Sequence, residues 1–169
     1  ENFLNSIVLN NSNSTVKKIK SENDYLGFTH AKYQLLYNNT PVNNAIIMLH
    51  TQNGKVVSVN GELSPVQKPA NNVTINEKTA LQKALNKVNA QTYKWQNKAE
   101  EQHMKQVYNK PDFTYYPKGD LILYAPIEVS GKKNSIRYAY KFNIYAETPL
   151  YRANVIVDAQ TGAILAEEN

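Results

Sequence analysis

Phe3, Leu4, Ile7 and Val8 recur at helical spacing, so Asn2–Leu9 is predicted as a short amphipathic helix. The polar run Asn10–Thr15 reads as a turn. Four strand-like stretches follow: Val16–Glu22, Thr29–Tyr37, Asn44–Thr51 and Lys55–Asn60. Between the last two, Asn53-Gly54 predicts a hairpin, because both residues tolerate the positive φ that a tight turn needs. Pro65–Asn72 carries two prolines and little apolar content, and reads as a linker. The clearest helix comes next. Asn76 can cap it, and Ala80, Leu81, Ala84, Leu85 and Val88 form one apolar stripe. A more polar helix is expected over Trp95–Tyr108, ending before Pro111. The last third alternates with period two. Leu121–Ala125 reads as a buried strand. Ile136, Tyr138, Tyr140, Phe142 and Ile144 line one face of the next, and Tyr151, Ala153, Val155 and Val157 one face of another. Asp158–Gly162 closes a loop, Ala163–Ala166 returns as a strand, and Glu167, Glu168 and Asn169 form a polar tail expected to be mobile.

Helix then sheet, twice over, predicts an α+β protein of two units, each an antiparallel sheet packed with helix. The boundaries are placed at 1–65 and 76–169, with a linker at 66–75. The 169 residues suffice for one domain or two small ones, so a core can form without metal or disulfide. With no cysteine, a disulfide framework, a thiol nucleophile and a cysteine zinc site are all excluded. The net charge of +5 favours an anionic partner, but the basic residues are scattered, with adjacent pairs only at Lys17-Lys18 and Lys132-Lys133. A nucleic-acid surface is therefore not expected. The longest apolar run, Ala45–Leu49, is far too short for a membrane span.

Catalytic motifs are missing. None of the three histidines, His30, His50 and His103, sits in a His-Glu-x-x-His pattern that would put two imidazoles on one helix face. The six glycines are isolated, so there is no phosphate loop, and no Gly-x-Ser-x-Gly elbow occurs. The chain is expected not to be an enzyme and to hold no metal or cofactor. His30 and His50 on neighbouring strands are either hydrogen-bonded structural histidines or two ligands of a metal site that lacks a third. Trp95 on a polar helix is either an anchor onto the sheet or an interface residue.

The run Asp24-Tyr-Leu-Gly27-Phe-Thr29-His30-Ala-Lys32-Tyr33-Gln34, followed by Pro41-Val42, His50, Asn53-Gly54 and Val59-Asn60-Gly61, resembles the fungalysin/thermolysin propeptide motif. It has Lys32 where that motif has arginine and Asn44 where glycine is common. The second half looks like a PepSY domain, through the Ala80-Leu81 helix, the Tyr115–Leu121 entry and Leu150–Leu165. The tandem order is similar to the prodomain of a thermolysin-like zinc metalloprotease. The resemblance implies two cystatin-like units, secretion or a periplasmic location, and a chaperone and inhibitor of a cognate catalytic domain. It implies zinc in that partner, and a monomer or a non-covalent complex with it. It also implies site roles: Ala163, Ile164, Leu165, Ala166, Glu167, Glu168 and Asn169 as an inhibitory tail along the cleft, and Trp95, Tyr115 and Tyr116 for docking. His30, Tyr33, Gln34 and His50 would hold the first domain together. A free-standing protease inhibitor of the same fold and a cell-envelope ligand-binding module are the alternatives.

Overall fold

The computed structural model describes Phe3, Leu4, Ser6 and residues 13–61, 66–125 and 135–169. They fall in two compact units, Glu1–Ala70 with Ile122–Ile136, and Asn71–Leu121 with Arg137–Asn169. The mixture of antiparallel sheet and separate helices is α+β, as expected. Most of the helix expected over residues 2–9 lies outside the described residues. Phe3, Leu4 and Ser6 have helical backbone, and Leu4 is fully buried.

In the first unit, β1 (Ser14–Asn23), β2 (Phe28–Tyr37), β3 (Thr40–Gln52) and β4 (Lys55–Gly61) form an antiparallel meander in chain order. Period-two patterning sets its faces. Ala31, Tyr33, Leu35 and Tyr37 of β2 and Ala45, Ile47 and Leu49 of β3 are buried on one side. The tight turns use the residues that tolerate a left-handed backbone. Asn38 and Asn39 have φ of 45° and 62°, and Asn53 and Gly54 have 51° and 74°. Gly61 ends β4 at φ 120°, where a Cβ would strike the Ile46 carbonyl, so only glycine fits. Leu123 of β6 (Asp120–Tyr124) adds a parallel bridge to Val42.

The second unit is built on α1 (Glu77–Val88). The Asn76 side chain accepts the Thr79 N–H at 2.8 Å, and Asn89 closes the other end at φ 48°. Glu77 in the first turn and Lys87 in the last complement the helix dipole. Ala80, Leu81 and Ala84 pack on Phe142 and Ile144 of β7 (Arg137–Thr148) and on Val155 and Val157 of β8 (Tyr151–Asp158). Leu85, expected in that stripe, is only partly buried against it.

Two expectations fail here. The helix expected over Trp95–Tyr108 is split. After β5 (Thr92–Tyr93), a 3-10 turn spans Lys94–Gln96, and α2 begins only at Lys98 and runs to Val107. Asn97 is the cause: its side chain accepts the Glu100 N–H at 3.1 Å and starts a new helix at that point. The polar C-terminus is also not a mobile tail. Ile164–Glu168 form β9, paired antiparallel with β8 from Val157↔Ile164 to Asn154↔Glu168. Glu167 pairs with Lys87 at 3.1 Å and accepts the Tyr151 hydroxyl at 2.6 Å, while Glu168 meets Lys141 at 3.2 Å. Side-chain anchors on both faces thus hold a strand whose sequence reads as solvated.

The stretch 66–75 is also tied down. Val66 and Asn71 are buried. The Asn71 side chain donates to the Tyr138 carbonyl at 3.0 Å and accepts the Tyr138 N–H at 2.7 Å. The Thr74 and Ile75 amides both donate to the Ala159 carbonyl at 3.0 Å.

Candidate functional site

In the first unit the motif residues meet on neighbouring strands. Register pairs His30 with His50, and their Nδ1 atoms lie 2.6 Å apart. His30 Nε2 is 3.1 Å from Asp24 Oδ2, and His50 Nε2 is 3.3 Å from the Asn60 amide nitrogen. A carboxylate can only accept, so His30 donates through Nε2. Neutral His30 then accepts at Nδ1, His50 donates from Nδ1, and His50 Nε2 accepts from Asn60. With both imidazoles neutral, every ring nitrogen of the pair has a partner. Among the described residues, no three His, Cys, Asp or Glu side chains converge in a way that would hold a metal ion.

Asp24 also builds the turn before β2. Its Oδ1 accepts the Leu26 and Phe28 N–H groups, each at 2.9 Å, and Gly27 takes φ 82° to complete the loop. The Phe28 N–H foremost, helped by His30 and the Leu26 N–H, holds the Asp24 carboxyl below the ordinary aspartate range against the opposing effect of burial. Tyr33 is 2% exposed, with the Lys18 ammonium over its ring. The Gln34 amide nitrogen reaches the carbonyls of Leu35, Val42 and Ala45 at 2.9, 2.7 and 3.2 Å, at the register shift between β2 and β3. All four motif residues therefore make their contacts inside the first unit.

The relay fixes the tautomers. At neutral pH, long-range proton–nitrogen NMR spectra should show His30 protonated on Nε2 and His50 on Nδ1. Asn60→Ala should leave His30 unchanged, whereas Asp24→Ala should scramble both rings. The opposite tautomer at either ring would refute the assignment.

In the second unit the three expected docking residues belong to an aromatic wall. Trp95 stacks on Tyr93 at 4.3 Å between centroids and meets the edge of Tyr116 at 5.5 Å. Tyr115 packs edge-on against Phe113 and Tyr145 at 4.9 and 5.7 Å. Trp95 and Tyr115 are half-buried, and Tyr116 is 54% exposed. Their position depends on a residue that sequence reasoning missed. Glu101, in the polar helix α2, is only 6% exposed. Its carboxylate accepts the Thr114 hydroxyl at 2.8 Å, the Tyr115 N–H at 2.9 Å and the Lys98 ammonium at 3.2 Å. Burial pushes the carboxyl up, but these donors outweigh it and the net shift is downward. Glu101 thereby pins the 113–116 segment to α2. Lys94, bonded to Glu100 at 2.7 Å and Glu147 at 3.3 Å, ties the preceding 3-10 turn to α2 and β7. Burial also raises the Tyr115 hydroxyl, so the ring stays neutral.

The segment expected as inhibitory, Ala163–Asn169, is the outermost strand of this unit together with the residues flanking it. Tyr151 and Lys87 hold the Glu167 carboxyl below the usual range, so it is ionised at neutral pH. Hence Ile164–Glu168 are presented as an edge strand whose carboxylates are ion-paired to Lys87 and Lys141.

Residues 14–63 match the fungalysin/thermolysin propeptide motif. That segment contains β1–β4, the His30–His50 pair and the Asp24 turn. Two bacillolysins, from Bacillus subtilis strain 168 and from Bacillus subtilis subsp. amylosacchariticus, are each 27% identical to the chain over 158 residues. The matched region covers 91% of this chain and 27% of each relative, so the chain spans about a quarter of their length. No helix among the described residues is long and apolar enough to cross a membrane.

Proposed function

We propose that the chain is the prodomain of a secreted thermolysin-like zinc metalloprotease, a non-catalytic segment that assists folding of its catalytic domain and then inhibits it. The observation that carries this reading is the match of residues 14–63 to the propeptide motif. The similarity to bacillolysin over most of the chain supports it. In this reading the units are cystatin-like, the second being a PepSY domain. Trp95, Tyr115 and Tyr116 contact the catalytic domain. The strand Ile164–Glu168 and Asn169 block the partner's cleft, where the zinc would reside.

Rigid presentation lowers the ordering cost of binding, so a preformed edge strand favours tight inhibition. It also alters the test. Deleting Ala166–Asn169 would remove ladder pairs to β8 and the Lys87 and Lys141 ion pairs, so folding must be measured alongside. The purified chain, added to mature protease from the same precursor, should bind and inhibit with one-to-one stoichiometry. The deletion variant, once shown by its melt to be folded, should still bind but inhibit much less. Equal inhibition by both would place the inhibitory contact away from the tail. Absence of binding by the intact chain would overturn the prodomain reading.

A further inference from the structure

On the face of β7 and β8 opposite α1, a cleft of about 430 Å³ opens beside the segment that Glu101 pins down. Its strand side carries Asn143 and Tyr145 of β7 and Arg152 of β8, and the loop side carries Tyr115 and Lys118. Arg152 is directly opposite Tyr145 in the register. Its guanidinium lies over the Tyr145 ring, 4.9 Å from the centroid, and its Nε donates to Asn143 Oδ1 at 3.3 Å. A ring on one side and an amide at its base thus orient the exposed fork. Arg152 nevertheless makes no ion pair among the described residues, whereas Arg137 is spent on Asp158 at 2.5 Å. Lys118 and Lys141 add positive charge to the lining, and Asp120 is its one acidic member. Lys141 already meets Glu168.

An arginine oriented over a ring and left without an acid is a receptor for a planar anion. Its two terminal nitrogens match a carboxylate bidentately, and the aromatic lining offers apolar surface beside that pair. Resting on the prodomain reading above, we propose that this cleft receives an Asp or Glu side chain from a surface segment of the catalytic domain. The carboxylate sits on Arg152, and the apolar stem lies against Tyr115 and Tyr145. A protein carboxylate fits better than a polyanion. The cationic residues converge on one cleft and do not form the stripe that a phosphate backbone needs.

The test measures affinity and dissociation rate for mature protease from the same precursor, at low and high salt. Arg152→Ala should weaken binding by about tenfold or more, mainly through faster dissociation. Arg152→Lys, which keeps the charge and loses the fork, should recover only part of the loss. Added salt should weaken the wild-type complex more than the Arg152→Ala complex. The melts should be unchanged, because Arg152 is solvent-exposed. Wild-type affinity and salt dependence in Arg152→Ala would overturn the cleft assignment and leave the prodomain reading standing. So would an Arg152-dependent affinity for heparin with protease binding untouched. Failure of the wild-type chain to bind the protease would remove both.

Discussion

Asp158→Ala should destabilise the second unit by about 3 kcal/mol at neutral pH, the lower end of the cost of breaking a buried ion pair. Asp158 is 1% exposed and serves four donors. Its Oδ1 accepts the Gln160 and Thr161 N–H groups at 2.9 and 2.8 Å, and its Oδ2 accepts Arg137 Nε at 2.5 Å and the Asn71 amide at 3.3 Å. One carboxylate thus closes the β8–β9 loop, holds the start of β7 and anchors the chain before α1. The lower figure applies because the Arg137 side chain is 30% exposed and can turn to water. Burial pushes the Asp158 carboxyl up, but Arg137 and the two loop amides outweigh it, and the folded value lies below the ordinary one. A depressed folded pKa contributes stability above the unfolded value of about 4, and that contribution is lost as pH falls through the folded value. Urea melts should show the wild type losing stability below about pH 4. Asp158→Ala should be less stable at neutral pH and flatter across that range. Equal stability of the two proteins at neutral pH would show that the carboxylate is not a structural centre.

Phe142→Ala should cost about 3–5 kcal/mol, as large-to-small changes of buried aromatics do. The ring is fully buried under α1, and it leaves Gly119 no room for a side chain. The ring belongs to one cluster with Ala80 and Ala84 of the helix and Val155 of the neighbouring strand and stacks on Tyr140 at 6.2 Å, surroundings that relax only partially into a vacated space. The expected loss is read from thermal or urea melts. Phe142→Leu, which keeps more of the volume, should recover a substantial part of it. A Phe142→Ala protein with the wild-type melt would show that α1 is not held by this face of the sheet.

Local signals marked the frame accurately. Asn76, the Asn53-Gly54 turn and the alternation through Phe142 and Ile144 act within a few residues, so the sequence displays them directly. What it hid depends on partners distant in the chain. Glu101 sits in a polar helix and looks solvated, yet the residues that desolvate and satisfy it, Thr114 and Tyr115, lie beyond the helix end. Glu167 and Glu168 read as a loose tail because Lys87 and Lys141, which fix them, belong to other elements. Trp95 looked helical because periodicity does not register the Asn97 side chain competing for the Glu100 amide. Asp24 stood out through the motif it begins, but its double duty as turn-former and hydrogen-bond partner of His30 needs the register of β2 and β3.

The meander of the first unit has a consequence for biosynthesis. β1 to β4 pair in chain order through short turns, so their contacts are local and the four-strand meander has all its strands once Gly61 has emerged, with the Leu123 bridge added later. Local pairing closes small loops and folds fast. In the second unit, α1 finds its sheet only after β7 and β8 have been made, and β9 joins last of all. Synthesis from the N-terminus at roughly 5–20 residues per second makes all four strands of the first ladder before β7, β8 and β9. The first ladder therefore has every strand it pairs before the strand carrying Glu167 and Glu168 exists, and the β9 edge is the last part of the second unit that can be completed.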